Sequence, residues 1–177
     1  MFDTKTGTKC QNLPPFPIQI AAAIGETINN VPVICGGYLG GSGRISSCYA
    51  LTENNWSKIG DMVESRWYAS SLLLGNNTLW IMGGDGSLKS TELMDFNENS
   101  AITAQRQGPD LPLASGRHCS IQISDTKAII LGGDFGTKTY FIELESGTWT
   151  EGPPLQDSGS RYYAACGIIT DIVTNNR

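Results

Sequence analysis

A Gly-Gly pair returns three times in this chain, each time at the end of a short apolar run. The runs are Val31-Pro32-Val33-Ile34-Cys35-Gly36-Gly37, Leu79-Trp80-Ile81-Met82-Gly83-Gly84 and Ala128-Ile129-Ile130-Leu131-Gly132-Gly133. Gly36 to Gly83 and Gly83 to Gly132 are steps of 47 and 49 residues. A period in that range marks a repeat architecture. One such unit cannot cover its own apolar surface, so neighbouring units must lie against each other.

Other positions keep the same beat. A turn-rich stretch with apolar residues precedes each new unit: Leu13-Pro14-Pro15-Phe16-Pro17, Ile59-Gly60-Asp61-Met62, Gly108-Pro109-Asp110-Leu111-Pro112 and Gly152-Pro153-Pro154-Leu155. Arg66, Arg117 and Arg161 then open the next apolar runs, and Trp56 and Trp149 fall between a Gly-Gly and the following turn. Within each unit the runs are too short for helices and are bounded by Gly, Asn and Asp, which reads as strands joined by tight turns. The second unit predicts strands at 67–74, 78–82, 91–96 and 102–106. The third predicts them at 118–124, 127–131, 139–144 and 148–151, and the first runs from about 19 to 57 in the same way. Four antiparallel strands per unit of this length is the arithmetic of a propeller blade.

Together the Gly-Gly after strand two, the residue seven positions before a tryptophan (Tyr49 before Trp56, Ile142 before Trp149) and the leading arginines resemble the kelch repeat. The chain departs from that pattern near Gln105, where a tryptophan is missing, and at Met94 and Ile142, which stand in the tyrosine slot. It also has no arginine at the start of the first unit. The resemblance implies an all-β fold: a fragment of a kelch-type β-propeller built of four-stranded antiparallel blades, in an open, incomplete ring. The expected division is the end of a preceding blade at 1–17, blades at 18–65, 66–116 and 117–160, and the first strand of a following blade at 161–177.

The same resemblance puts the lead-in to each innermost strand, and the loop after each Gly-Gly, on one rim of the central channel. It therefore implies a partner-binding rim that includes Arg66, Arg117, Arg161, Tyr38, Asp85, Asp134 and Phe135. Arginines there can grip carboxylates bidentately. The alternative is that each arginine satisfies carbonyls of the neighbouring blade. Trp56 and Trp149 are expected to pack between blades, and Gly36, Gly37, Gly83, Gly84, Gly132 and Gly133 to act as structural repeat markers.

Cys35 and Cys48 fall on neighbouring strands, so they form either a cross-strand disulfide or two buried small hydrophobes. Cys119 and Cys166 fall at different depths of successive first strands and are expected to stay unpaired. The family is commonly cytoplasmic, whereas a Cys35–Cys48 bridge would place the chain outside the cell. Asn55-Trp56-Ser57 and Asn76-Asn77-Thr78 fit the N-glycosylation sequon, but two such triplets arise by chance in a chain this rich in Asn, Ser and Thr.

Composition narrows the function classes. A net charge of −5 and the lack of any basic run argue against nucleic acid as a partner. No apolar stretch is long enough to predict a membrane-spanning helix. With one histidine (His118) and no Cys-x-x-Cys, a Cys/His metal cluster is not expected. Gly36-Gly37-Tyr38-Leu39-Gly40-Gly41 opens no helix and carries no P-loop lysine, so it reads as a turn. Ser120 lies two residues from His118 on a strand face without a third group to make a triad. No catalytic residue and no cofactor is expected.

The reading is therefore a non-enzymatic module that presents rim loops to a protein partner. The family suggests substrate recognition for a ubiquitin ligase as one such role. The alternatives are a piece of a kelch-type propeller enzyme, either an oxidase or a sugar mutarotase, and a secreted kelch protein.

Overall fold

The computed structural model describes residues 13–84, 88–156 and 166–167. Three four-stranded antiparallel sheets make up the fold. The first is β1 (Ile24–Ile28), β2 (Val31–Cys35), β3 (Ser47–Thr52) and β4 (Asn55–Asp61), paired in that order. The second is β5 (Ser70–Leu74), β6 (Thr78–Met82), β7 (Thr91–Phe96) and β8 (Ile102–Gln107). The third is β9 (His118–Ser124), β10 (Lys127–Gly132), β11 (Thr139–Glu143) and β12 (Thr148–Glu151). Among the described residues the only helical pieces are the 3-10 turns Gly40–Ser42 and Gly133–Phe135. Such up-and-down sheets, one per sequence repeat, are consistent with propeller-like blades.

Turn chemistry sets the hairpins. Asn29 and Asn30 join β1 to β2 with φ of 51° and 64°, and Glu53 and Asn54 join β3 to β4 with φ of 49° and 61°. Two successive left-handed residues match the twist of the flanking strands, and asparagine tolerates that conformation well. β5 begins at Ser70 rather than at 67 because Tyr68 takes φ of 54°, which breaks an extended strand.

Two compact units divide the described residues. One lies within Met1–Trp67, Leu73–Leu79 and Met94–Gln105, the other within Tyr68–Leu72, Trp80–Leu93 and Arg106–Arg177. The dividing line crosses the second sheet, so each unit takes part of it.

In the first unit the core is Ile24, Ile28, Val33, Cys35, Cys48, Ala50 and Met62, with Leu79, Met94 and Phe96 from the second sheet. Alternation along β2 and β3 points Val33, Cys35, Cys48 and Ala50 to one side. Polar groups stitch the first sheet to its neighbour. Ser100 Oγ donates to the Ile28 carbonyl at 3.1 Å, and Asn29 Nδ2 donates to the Asn97 carbonyl at 2.8 Å. Gln105 Nε2 donates to the Asp61 carbonyl at 2.6 Å. Gly60 leaves room for Ile102, whose Cδ1 would stand 2.8 Å from any Cβ built there.

In the second unit Ala128, Ile130, Tyr140, Ile142 and Phe135 form the core of the third sheet, with Trp80, Ile81 and Met82 of β6 buried as well. The first strands of the second and third sheets meet directly: Ser120 Oγ donates to the Ser71 carbonyl at 2.8 Å, and Ser70 Oγ lies 2.6 Å from His118 Nε2. Trp149 on β12 packs near Trp80 on β6, with ring centroids 6.1 Å apart.

The glycine pairs join consecutive repeats. Gly37 N donates to the Arg66 carbonyl and Gly84 N to the Ser115 carbonyl, both at 2.8 Å. Each bond ties the end of one sheet's second strand to the segment leading into the next sheet. Gly83 has φ of 61°, and a Cβ there would overlap the Ser115 carbonyl oxygen, so the close approach requires glycine.

Candidate interaction face

In the first unit the glycine clasp brings two aromatic rings together. Tyr38 follows Gly37, and its backbone exchanges hydrogen bonds with Ala21 at 2.8 and 3.1 Å. Trp67 follows Arg66, whose carbonyl accepts from Gly37 N. The two rings stack with centroids 4.7 Å apart and planes 29° from parallel. Tyr38 remains 36% exposed, and Val63, in the segment leading from β4 to Arg66, is 77% exposed. The glycine-rich turn at Gly40–Ser42 starts two residues after Tyr38 and closes with Leu39 N donating to the Gly43 carbonyl at 2.8 Å. A rigid, half-exposed aromatic pair is the kind of surface that anchors protein contacts at low entropic cost.

Arg66, from the same lead-in segment, is 1% exposed and pairs with Glu64 Oε2 at 3.1 Å. Its guanidinium is therefore engaged inside the protein, and the neighbouring tryptophan reaches the surface region instead.

In the second unit the equivalent segment is organised around Arg117. Its backbone N donates to the Tyr68 carbonyl at 2.8 Å, and its guanidinium carbon lies 4.6 Å from the Tyr68 ring centroid. Its Nη1 stands 3.6 Å from Asp134 Oδ1, the two side chains being 24% and 22% exposed. Asp134 Oδ2 accepts from Gly116 N at 2.8 Å. Asp134 thus fixes the lead-in loop of its own sheet. Phe135 is 5% exposed and packs between His118 and Tyr140, both at 5.3 Å between centroids. Asp85 and Arg161 lie outside the described residues.

His118 is buried, and burial pushes its pKa down to about 4. Nε2 faces Ser70, while Nδ1 finds no hydrogen-bond partner among the described residues. A catalytic dyad needs its histidine oriented by an acceptor and its serine open to substrate. Here the serine is buried too, so the pair works as a packing contact between two strands. The partner of His118 is Ser70, 48 residues away, rather than Ser120, whose hydroxyl is turned to Ser71.

Four of the five cysteines are paired. Cys35 and Cys48 face each other in the β2–β3 register and are bonded across the sheet, with Cα atoms 4.1 Å apart. Cys119 and Cys166 are also bonded, with Cα atoms 6.0 Å apart. This second bridge corrects the expectation that those two stay separate. Depth along equivalent strands was the wrong measure: Cys166 is an exposed residue with no strand assignment, and it reaches Cys119 from outside any sheet ladder.

Trp56 packs edge-on against Phe16 at 5.0 Å, and its Nε1 donates to the Pro14 carbonyl at 3.3 Å. Among the described residues no group of three or more His, Cys, Asp or Glu side chains is placed to hold a metal ion, and no helix is long and apolar enough to cross a membrane. Sequence reasoning missed Trp67, Tyr68 and Ser70. Their only signal was position, directly after Arg66, in a run read as one uniform strand. The expected leading segment at 1–12 and, apart from residues 166–167, the expected trailing strand at 161–177 lie outside the described residues.

No protein-family model matches this chain, and no curated protein matches it either.

Proposed function

We propose that this chain is part of a kelch-type β-propeller that binds a protein partner through the loops flanking its glycine pairs, and that it catalyses no reaction. The observation that carries this reading is the half-exposed Tyr38–Trp67 stack. Around it, the first-sheet backbone is fixed by the Gly37–Arg66 bond, so the aromatic surface is preorganised. The recurrence of that bond at Gly84 and Ser115 supports sheets that lean on one another in series, as blades do.

Two cysteine bridges favour an oxidising compartment and hence a secreted kelch protein over a ubiquitin-ligase adaptor. The rim proposal accordingly rests on Tyr38 and Trp67. Arg66 serves the fold.

The test is affinity capture with the full-length protein under native conditions, followed by a binding measurement with the purified partner. Tyr38→Ala is expected to weaken that partner at least tenfold, in line with loss of a buried aromatic anchor of about 2 kcal/mol. Ile123→Ser, at an exposed β9 position (43%), is expected to leave binding unchanged. Equal affinity of wild type and the Tyr38 variant would refute the reading.

A further inference from the structure

The turn between β5 and β6 carries a feature that partner binding does not use. Gly75, Asn76 and Asn77 form this turn, and Thr78 starts β6. Asn77 is structural: its Nδ2 donates to the Phe96 carbonyl at 3.2 Å and its own carbonyl accepts from Phe96 N at 2.8 Å. Asn76 is exposed, and its side chain makes no hydrogen bond among the described residues. The triplet Asn76-Asn77-Thr78 has the acceptor pattern Asn-x-Thr.

We propose that Asn76 carries an N-linked glycan. The sequon alone would not carry this, because such triplets occur by chance. Two independent observations join it. First, the Cys35–Cys48 and Cys119–Cys166 bridges point to the oxidising compartment where such transfer occurs, so the inference rests on that compartment reading. Second, Asn76 opens onto a polar cleft of about 360 Å³ lined by Thr27, Asn29, Asn30 and Leu73. Thr27 and Asn30 are exposed there and Leu73 supplies an apolar wall. Amide and hydroxyl groups beside an apolar patch suit the hydroxyls, N-acetyl group and carbon face of a first N-acetylglucosamine.

The second triplet, Asn55-Trp56-Ser57, is a poorer acceptor. Asn55 opens β4, paired with Thr52, and its Nδ2 already lies 3.5 Å from Ser57 Oγ. Its middle residue is a bulky tryptophan that packs on Phe16.

The transfer is redox-neutral. Asn76 Nδ2 attacks the anomeric carbon of a lipid-pyrophosphate-linked oligosaccharide. A carbon–nitrogen bond forms, and the bond from that carbon to the pyrophosphate oxygen breaks. The lipid pyrophosphate leaves with the electron pair, and the amide proton passes to a base of the transferase.

The protein is isolated from the cells that make it, mapped by peptide mass spectrometry without reductant, and deglycosylated enzymatically in heavy-oxygen water. The peptide containing Asn76 is expected to appear as labelled aspartate, with both cysteine bridges present. In secreted expression, Asn76→Gln should lose one glycan-sized step in gel mobility, whereas Asn55→Gln and Thr78→Ser should keep it. Unlabelled Asn76 in a protein whose bridges are intact overturns the glycan and leaves the compartment reading standing. Free cysteines together with unlabelled Asn76 overturn both. The wild-type peptide map decides the matter even if the Gln variant fails to fold.

Discussion

Replacing Gly83 with alanine tests whether consecutive repeats are clasped through the glycine pair. Gly83 has φ of 61° and Gly75, in the β5–β6 turn, has φ of 63°. The backbone penalty for a side chain in this left-handed region is about 1–2 kcal/mol and is the same at both sites. The surroundings differ. A Cβ at Gly75 meets nothing within 4 Å. A Cβ at Gly83 overlaps the Ser115 carbonyl oxygen and comes within 2.8 Å of Leu111 Cδ1 and 3.1 Å of His118 Cε1. Relief requires the lead-in segment to retreat, which lengthens the Gly84–Ser115 hydrogen bond of 2.8 Å. Losing that bond costs about 1 kcal/mol, and overpacking adds about 1–3 kcal/mol. Gly83→Ala should therefore destabilise by about 3–6 kcal/mol and Gly75→Ala by about 1–2 kcal/mol. Urea denaturation of both variants under identical non-reducing conditions measures the difference through the midpoint shift. Losses that agree within about 1 kcal/mol would mean that the Ser115 segment is not lodged against Gly83.

Four further outcomes follow from the structure. His118 is buried neutral with its pKa near 4, below its usual 6.5, so the unfolded chain takes up a proton first as pH falls. Stability linked to this group is complete above pH 6.5 and is lost toward pH 4, by about 3 kcal/mol in total. His118→Gln should flatten the slope of unfolding free energy between pH 6.5 and 5, and an unchanged slope would count against a buried neutral imidazole. Alkylation under denaturing conditions should add four more labels with reductant than without it, since Cys35–Cys48 and Cys119–Cys166 are bridged. Intact mass reads this directly. Removing the Cys35–Cys48 bridge, whose separation is 13 residues, should cost about 3 kcal/mol of stability. Arg66→Ala should lower stability by about 1–3 kcal/mol through lost packing of its buried stem, since its partner Glu64 is 37% exposed and stays solvated, and thermal melting distinguishes this from a selective loss of binding.

The sequence alone determined the existence and order of the strands, though not that β5 begins only at Ser70. Strong local signals, namely apolar runs closed by Gly-Gly and hairpins turned by asparagine, act over a few residues and survive any tertiary context. Thr78–Met82 and Thr91–Phe96 accordingly form where their pattern says they should. The placement of Cys35 and Cys48 on neighbouring strands was legible from their slots in the repeat, because the second and third strands of each unit lie side by side. Tertiary structure decided which side chains face water. Arg66, Asp134 and Phe135 look like display residues in a loop, yet a neighbouring carboxylate, a backbone N–H and two aromatic rings draw them inward. Trp67 gained its role from a stack with Tyr38, 29 residues away in the chain, and Cys119 found Cys166 across 47 residues. Contacts of that range depend on how whole sheets pack, and no local pattern encodes them.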